Sequence, residues 1–158
     1  MTLTPEKTAV GFIGIGVMGK SMAGHIQKAG YQLHVYTRTA SKAEELVKEG
    51  AYWHETPAKL AQACDVVITM VGYPKDVEEI YLGGDGLVAH AKAGAYLIDM
   101  TTSSPLLAAR IYEACKAKEL HGLDAPVSGG DIGARKVSCR LWSGATRRIL
   151  TLFASCWS

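Results

Sequence analysis

Long apolar runs are missing from this 158-residue chain. No stretch approaches the ~18 consecutive apolar residues of a membrane-spanning helix, so no membrane partner is expected. The opening Met-Thr-Leu-Thr-Pro-Glu-Lys carries no signal-peptide core. Charge of one sign is also scarce. The formal net charge is +2 and no basic or acidic run exceeds a few residues, which argues against nucleic acid as a partner. The four cysteines, Cys64, Cys115, Cys139 and Cys156, lack metal-ligand spacing and read as isolated thiols suited to a reducing cytoplasm. The five histidines, His25, His34, His54, His90 and His121, are scattered, so each is read as structural or solvent-facing and no metal is expected. Internal repeats and low-complexity linkers are absent. What remains, 48% hydrophobic and 20% charged, is the composition of a globular domain with room for one proper core.

The most informative stretch lies near the start. A short apolar run, Ala9 to Ile13, meets Gly14-Ile15-Gly16-Val17-Met18-Gly19, and a helical stripe of Met18, Met22, Ile26 and Ala29 follows, ending at Gly30. A strand, a glycine turn and a helix in this order bind a dinucleotide. Gly14 permits the tight turn, Gly16 lets the backbone approach a pyrophosphate, and Gly19 lets helix and strand pack closely. The phosphates then meet the unpaired amides and positive end of the helix N-terminus.

Strand-like and helix-like segments alternate from residue 8 to about 127, the pattern of a doubly wound α/β fold with a mostly parallel sheet. Gln32 to Tyr36 reads as the second strand, Ser41 to Glu49 as a helix with Ala43, Leu46 and Val47 inward, and Ala51 to His54 as a short third strand. Thr56-Pro57 supplies an N-cap and an N1 proline for a helix to about Ala63. The run Asp65 to Val71 suits a strand buried on both faces. Pro74 to Tyr81 is expected as a helix and Tyr96 to Met100 as a strand. A helix opened by Ser104-Pro105 should bury Leu107, Ile111 and Ala114, and Leu120 to Val127 should form a sixth strand. Burial should be greatest at Ile13, Val67, Ile68, Met70, Leu97 and Ile98.

The end of the second strand bears on the cofactor. NAD-binding folds usually carry an acid there, about twenty residues past the glycines, to hold the ribose hydroxyls. This chain reads Tyr36-Thr37-Arg38-Thr39, with Lys42 beyond, and so has no acid in place to repel a 2′-phosphate. Arg38 can stack on adenine and pair with the phosphate, Thr37 and Thr39 can donate hydrogen bonds, and Lys42 adds charge. NADP is therefore favoured over NAD.

Three segments together carry a family resemblance. Phe12-Ile13-Gly14-Ile15-Gly16-Val17-Met18-Gly19-Lys20-Ser21-Met22-Ala23-Gly24-His25-Ile26 resembles the N-terminal signature of the β-hydroxyacid dehydrogenases, a family that includes 3-hydroxyisobutyrate dehydrogenase, tartronate semialdehyde reductase and the glyoxylate/succinic semialdehyde reductases and is related to 6-phosphogluconate dehydrogenase. The run from Leu97 to Pro105 is similar to the family's loop after its fifth strand, and Asp124-Ala125-Pro126-Val127-Ser128-Gly129-Gly130 matches its substrate-binding motif. The resemblance covers about residues 8 to 135. It implies a Rossmann domain over residues 1–136, with Ser128, Gly129 and Gly130 holding a substrate carboxylate. Exposed amides in a glycine turn form an anion nest, which suits that role. It further places Thr102 near the nicotinamide ribose and Val71 and Gly72 beside the adenosine ribose and pyrophosphate. The intact enzyme is implied to be a cytoplasmic homo-oligomer acting on small hydroxyacids or semialdehydes.

The resemblance breaks after Arg135. The family continues with a pattern like N-G-x-L-x-x-x-V-G-G-D, whereas this chain has Val137 and Cys139 in place of the Gly and Leu. The long linking helix, the C-terminal helical domain and the family's proton-exchanging lysine are expected to lie beyond this chain, so no catalytic residue is assigned within it. One added base after the Lys136 codon, with codons compatible with the residues present, would restore the family's K-G-x-L and V-G-x-D in register. Residues 137–158 are therefore expected to be a frameshifted tail, with a divergent small cap as the alternative. The competing functions are an NADP-dependent oxidoreductase reduced to its cofactor domain, a non-catalytic NADP-binding module, and an inactive gene fragment.

Overall fold

The computed structural model describes residues 8–14, 17–28, 30–71, 74–99 and 105–124. Among them six parallel strands form one sheet: β1 (Ala9–Ile13), β2 (Gln32–Tyr36), β3 (Tyr52–Trp53), β4 (Val66–Thr69), β5 (Tyr96–Asp99) and β6 (His121–Asp124). They are joined through helices α1 (Val17–Lys28), α2 (Glu44–Lys48), α3 (Pro57–Ala63), α4 (Pro74–Leu82), α5 (Leu87–His90) and α6 (Pro105–Ala117). The strand order is β3-β2-β1-β4-β5-β6, so the chain first winds outward one way from β1 and then restarts on its other side at β4. Right-handed crossovers on the two arms place their helices on opposite faces of the sheet, and the reversal between β1 and β4 leaves a crevice at the strand C-termini. This is the doubly wound Rossmann architecture expected from the alternating pattern.

Register follows from the apolar patterning. Gly11 pairs with His34 on one side and Val67 on the other, and Val67 in turn aligns with Leu97. Ile13, Val67 and Leu97 join Leu60 of α3, Val77 and Tyr81 of α4, Leu87 of α5, and Ile111 and Cys115 of α6 in one core. Alternate residues point to the other face, where Val10, Phe12, Val35, Ile68 and Ile98 are fully buried. There α1 lies against β1 and β2, burying Ala23 and Ile26. A Cβ on Gly11 would overlap the Leu60 side chain and come within 2.9 Å of Cys64 Sγ, so glycine at this position lets β1 pack closely against α3.

Local signals account for most element boundaries. Thr56 caps α3, its Oγ1 accepting from the Lys59 amide at 3.2 Å, and Pro57 occupies the first turn. The strand expected from Asp65 starts one residue later, at Val66, and the Asp65 carboxylate turns back to accept from the Ala9 amide at 3.0 Å. Two expectations need correction. Ser41 to Glu49 is not one helix: a 3₁₀ turn over Ala40–Ala43 precedes the five-residue α2. That change of winding keeps Ala43 and Leu46 inside but leaves Val47 41% exposed. Met70 is only half-buried, because β4 ends at Thr69 and Met70 stands at the open crevice. The four-residue α5 was not anticipated, being too short to show a helical period. The expected ends of β5 at Met100 and of β6 at Val127, and the tail of residues 137–158, lie outside the described residues.

Candidate functional site: a dinucleotide crevice

Gly14 follows β1 directly and has φ +95°, a conformation that side chains rarely adopt. Its amide donates to the Tyr36 carbonyl at the end of β2, 3.2 Å away. A Cβ here would overlap the Met70 carbonyl oxygen and sit 2.9 Å from Val71 Cγ1. The turn thus fits only a glycine, and it draws the ends of β1, β2 and β4 together. The backbone of Val17, Met18 and Gly19 forms the first turn of α1, so the amide end of that helix opens just beyond Gly14.

Thr37 comes next after β2 and is buried, whereas Arg38, Thr39 and Lys42 are exposed along the rim. Val71 follows β4 and is half-buried against the Gly14 turn. At the tip of β4, Thr69 is fully buried, and its Oγ1 has no hydrogen-bond partner among the described residues. The structure therefore gathers Gly14, the start of α1, Thr37, Arg38, Thr39, Lys42 and Val71 at the C-terminal ends of three adjacent strands. Ile15, Gly16, Gly72, Thr102, Ser128, Gly129 and Gly130 lie outside the described residues.

Sequence reasoning missed two acids. Arg38 Nη2 donates to Asp76 Oδ1 at 2.6 Å and lies 3.7 Å from Glu79 Oε2. Both acids belong to α4, which follows β4 rather than β2. The expectation that no acid stands at the cofactor-discriminating position holds along the chain and fails in space. No local signal could have shown this, since 38 residues separate the partners.

Burial shifts the titration of two histidines and two cysteines. His34 and His54 face one another on β2 and just past β3, with Nδ1 of the first 2.7 Å from Nε2 of the second. Burial holds His34 down to about 4, with His54 and Lys92 adding to the effect, and burial with Lys59 nearby lowers His54. Burial pushes the Cys64 thiol up to about 12 and Cys115 to about 11, so neither is an activated nucleophile. Among the described residues no group of three or more His, Cys, Asp or Glu side chains could hold a metal ion, and no helix is long and apolar enough to cross a membrane.

A parallel sheet with this strand order, a glycine-only turn at its reversal point and a helix opening behind that turn define a dinucleotide-binding domain. The residues present fit such a cofactor. Comparison with known proteins gives the same class: residues 9–156 match the model for the NAD binding domain of 6-phosphogluconate dehydrogenase. The chain belongs to the β-hydroxyacid dehydrogenase family of oxidoreductases, in which this domain is the NAD(P)-binding one.

A Bacillus subtilis protein named as an uncharacterized oxidoreductase is 56% identical over 141 residues, covering 89% of this chain and 49% of that protein. The Arabidopsis thaliana protein named probable 3-hydroxyisobutyrate dehydrogenase-like 1, mitochondrial, is 46% identical over 143 residues, covering 90% of this chain and 43% of its own length. The chain spans about half the length of the curated relatives it matches. In fold it resembles the solved Mycobacterium tuberculosis 3-hydroxyisobutyrate dehydrogenase structure with L-serine, at TM-score 0.80 and 24% identity over 94% of this chain and 52% of that one.

Proposed function

We propose that this chain is the NADP-binding domain of an oxidoreductase that interconverts small β-hydroxyacids and the corresponding semialdehydes, in the manner of a 3-hydroxyisobutyrate dehydrogenase. The observation that carries the cofactor half of this reading is Arg38 at the tip of β2, beside Thr37 and Thr39, two strands from Val71. When bound, the nicotinamide supplies the hydride donor or acceptor. The amides at the start of α1 and the Gly14 turn bind the pyrophosphate, which needs close backbone approach and positive potential. Arg38 and Lys42 supply the cationic rim for a 2′-phosphate, and Thr37 and Thr39 its neutral donors. Val71 and Gly72 flank the adenosine ribose and pyrophosphate, and Thr102 the nicotinamide ribose.

Ser128, Gly129 and Gly130 hold the substrate carboxylate through a hydroxyl and backbone amides, which orients the carbon that exchanges hydride. No lysine within residues 1–136 takes the position of the family's general acid/base, so the share of these residues in the reaction is binding and orientation. A positioned acid/base is worth typically ~10²–10⁴ in rate and has to come from outside them.

Fluorescence titration of the 158-residue chain with NADPH and NADH tests the cofactor assignment. NADPH should bind more tightly, and Arg38→Asp should erase or reverse the difference, by roughly 1–3 kcal/mol for lost charge-assisted hydrogen bonds. Equal affinities in the unsubstituted chain would remove NADP from the proposal and leave the dinucleotide site standing.

A further inference from the structure

Arg38 does not wait alone for a phosphate. It stands just past β2, and Asp76 stands in the first turn of α4, which follows β4. Those two strands flank β1 in the sheet, so the 2.6 Å ion pair joins them at the end where the Gly14 turn lies. Glu79, one turn further along α4, adds a second carboxylate 3.7 Å from the same guanidinium nitrogen. Arg38 with its two acids carries a net single negative charge. A carboxylate and a phosphate also want the same planar fork of guanidinium donors.

We propose that Asp76, backed by Glu79, is a specificity-determining residue that competes with the cofactor's 2′-phosphate for Arg38 and so limits the preference for NADP over NAD. This rests on the dinucleotide-site reading above. A cofactor without the 2′-phosphate leaves the Arg38–Asp76 pair intact. One that carries it displaces the Asp76 carboxylate from Arg38 while two negative charges remain close by. Asp76 therefore acts on the phosphorylated ligand alone, and only through Arg38.

The test is nucleotide binding by the full 158-residue chain, measured calorimetrically with adenosine 2′,5′-bisphosphate and with 5′-AMP. Asp76→Asn keeps the side-chain size and removes the charge. It should tighten the bisphosphate about two- to fivefold, the scale of a partly exposed ion pair, and leave 5′-AMP unchanged. Glu79→Gln should act in the same direction more weakly, and it carries the test if the first variant is unstable. In an Arg38→Ala background the Asp76→Asn gain should vanish. Unchanged or weaker bisphosphate binding, an equal gain for 5′-AMP, or a gain that survives without Arg38 would each overturn the proposal while the site reading stands. If the unsubstituted chain binds neither nucleotide, the site reading falls, and the proposal with it.

Discussion

His34 Nδ1 lies 2.7 Å from His54 Nε2, and the His34 ring stacks at 5.0 Å on both His54 and Tyr52 of β3. One nitrogen of the pair must donate and the other accept, so the contact requires that at least one imidazole, the acceptor, be neutral. Protonating both would turn each nitrogen into a donor and set two cations together near Lys59 and Lys92.

This contact predicts a pH-dependent stability. The folded His34 titrates at about 4 against an ordinary 6.5, so the unfolded chain takes up its proton first as pH falls. The His34 contribution is fully present above pH 6.5, declines as pH drops from 6.5 towards 4, and levels off below. His54, whose value is also lowered, acts in the same direction. Urea-unfolding midpoints should therefore fall across this window, and His34→Gln should flatten the curve. A slope unaffected by that substitution would place the titration elsewhere.

Gly14→Ala should damage both fold and binding. The new Cβ would overlap the Met70 carbonyl in a backbone conformation with φ +95°. A cost of about 1–3 kcal/mol is expected from such strain, more if β1 and β4 must part. Denaturant unfolding measures the first effect, and loss of dinucleotide binding under conditions where the variant remains folded measures the second.

Thr56→Ala removes the side-chain acceptor that holds the Lys59 amide at 3.2 Å. The expected loss is about 1 kcal/mol, the usual worth of an N-cap, with Thr56→Ser restoring it. Nucleotide affinity should not change, since α3 packs beneath the sheet rather than at the crevice.

Cys64 and Cys115 should resist alkylation at pH 8 while the chain is folded. Burial holds their thiols at about 12 and about 11, where almost no thiolate is present. Peptide mapping after iodoacetamide should find both unmodified until denaturant is added. Rapid labelling of Cys64 in the folded chain would mean that α3 opens readily from β1.

The relation between chain and fold differs from element to element. β1, the Gly14 turn and α1 were legible because their signals are local: an apolar run, glycines at set spacing and a 3.6-residue stripe follow without interruption. β4 was legible for the same reason, its four residues Val66–Thr69 being wholly buried. The split between the 3₁₀ turn and α2 was not, because Ala43, Leu46 and Val47 suit either winding until packing on the sheet selects which two go inside. The short α5 escaped for want of length.

The candidate site divides along the same line. Gly14, Thr37 and Arg38 could be picked out from their distance along the chain to a strand end, because backbone geometry ties turn chemistry to such positions. That Thr37, Val71 and Gly14 meet at one crevice depends on β1 lying between β2 and β4, an order that only the assembled sheet fixes. The electrostatics of Arg38 were decided at that level too. Its nearest charges along the chain include Lys42, whereas its nearest in space are Asp76 and Glu79, brought over from the far side of β1. Apolar periodicity and turn chemistry are short-range properties, readable one segment at a time. Coulomb interactions fall off with distance in space, with no regard to separation along the chain, so the charge environment of the site came into being only when the two halves of the sheet closed around β1.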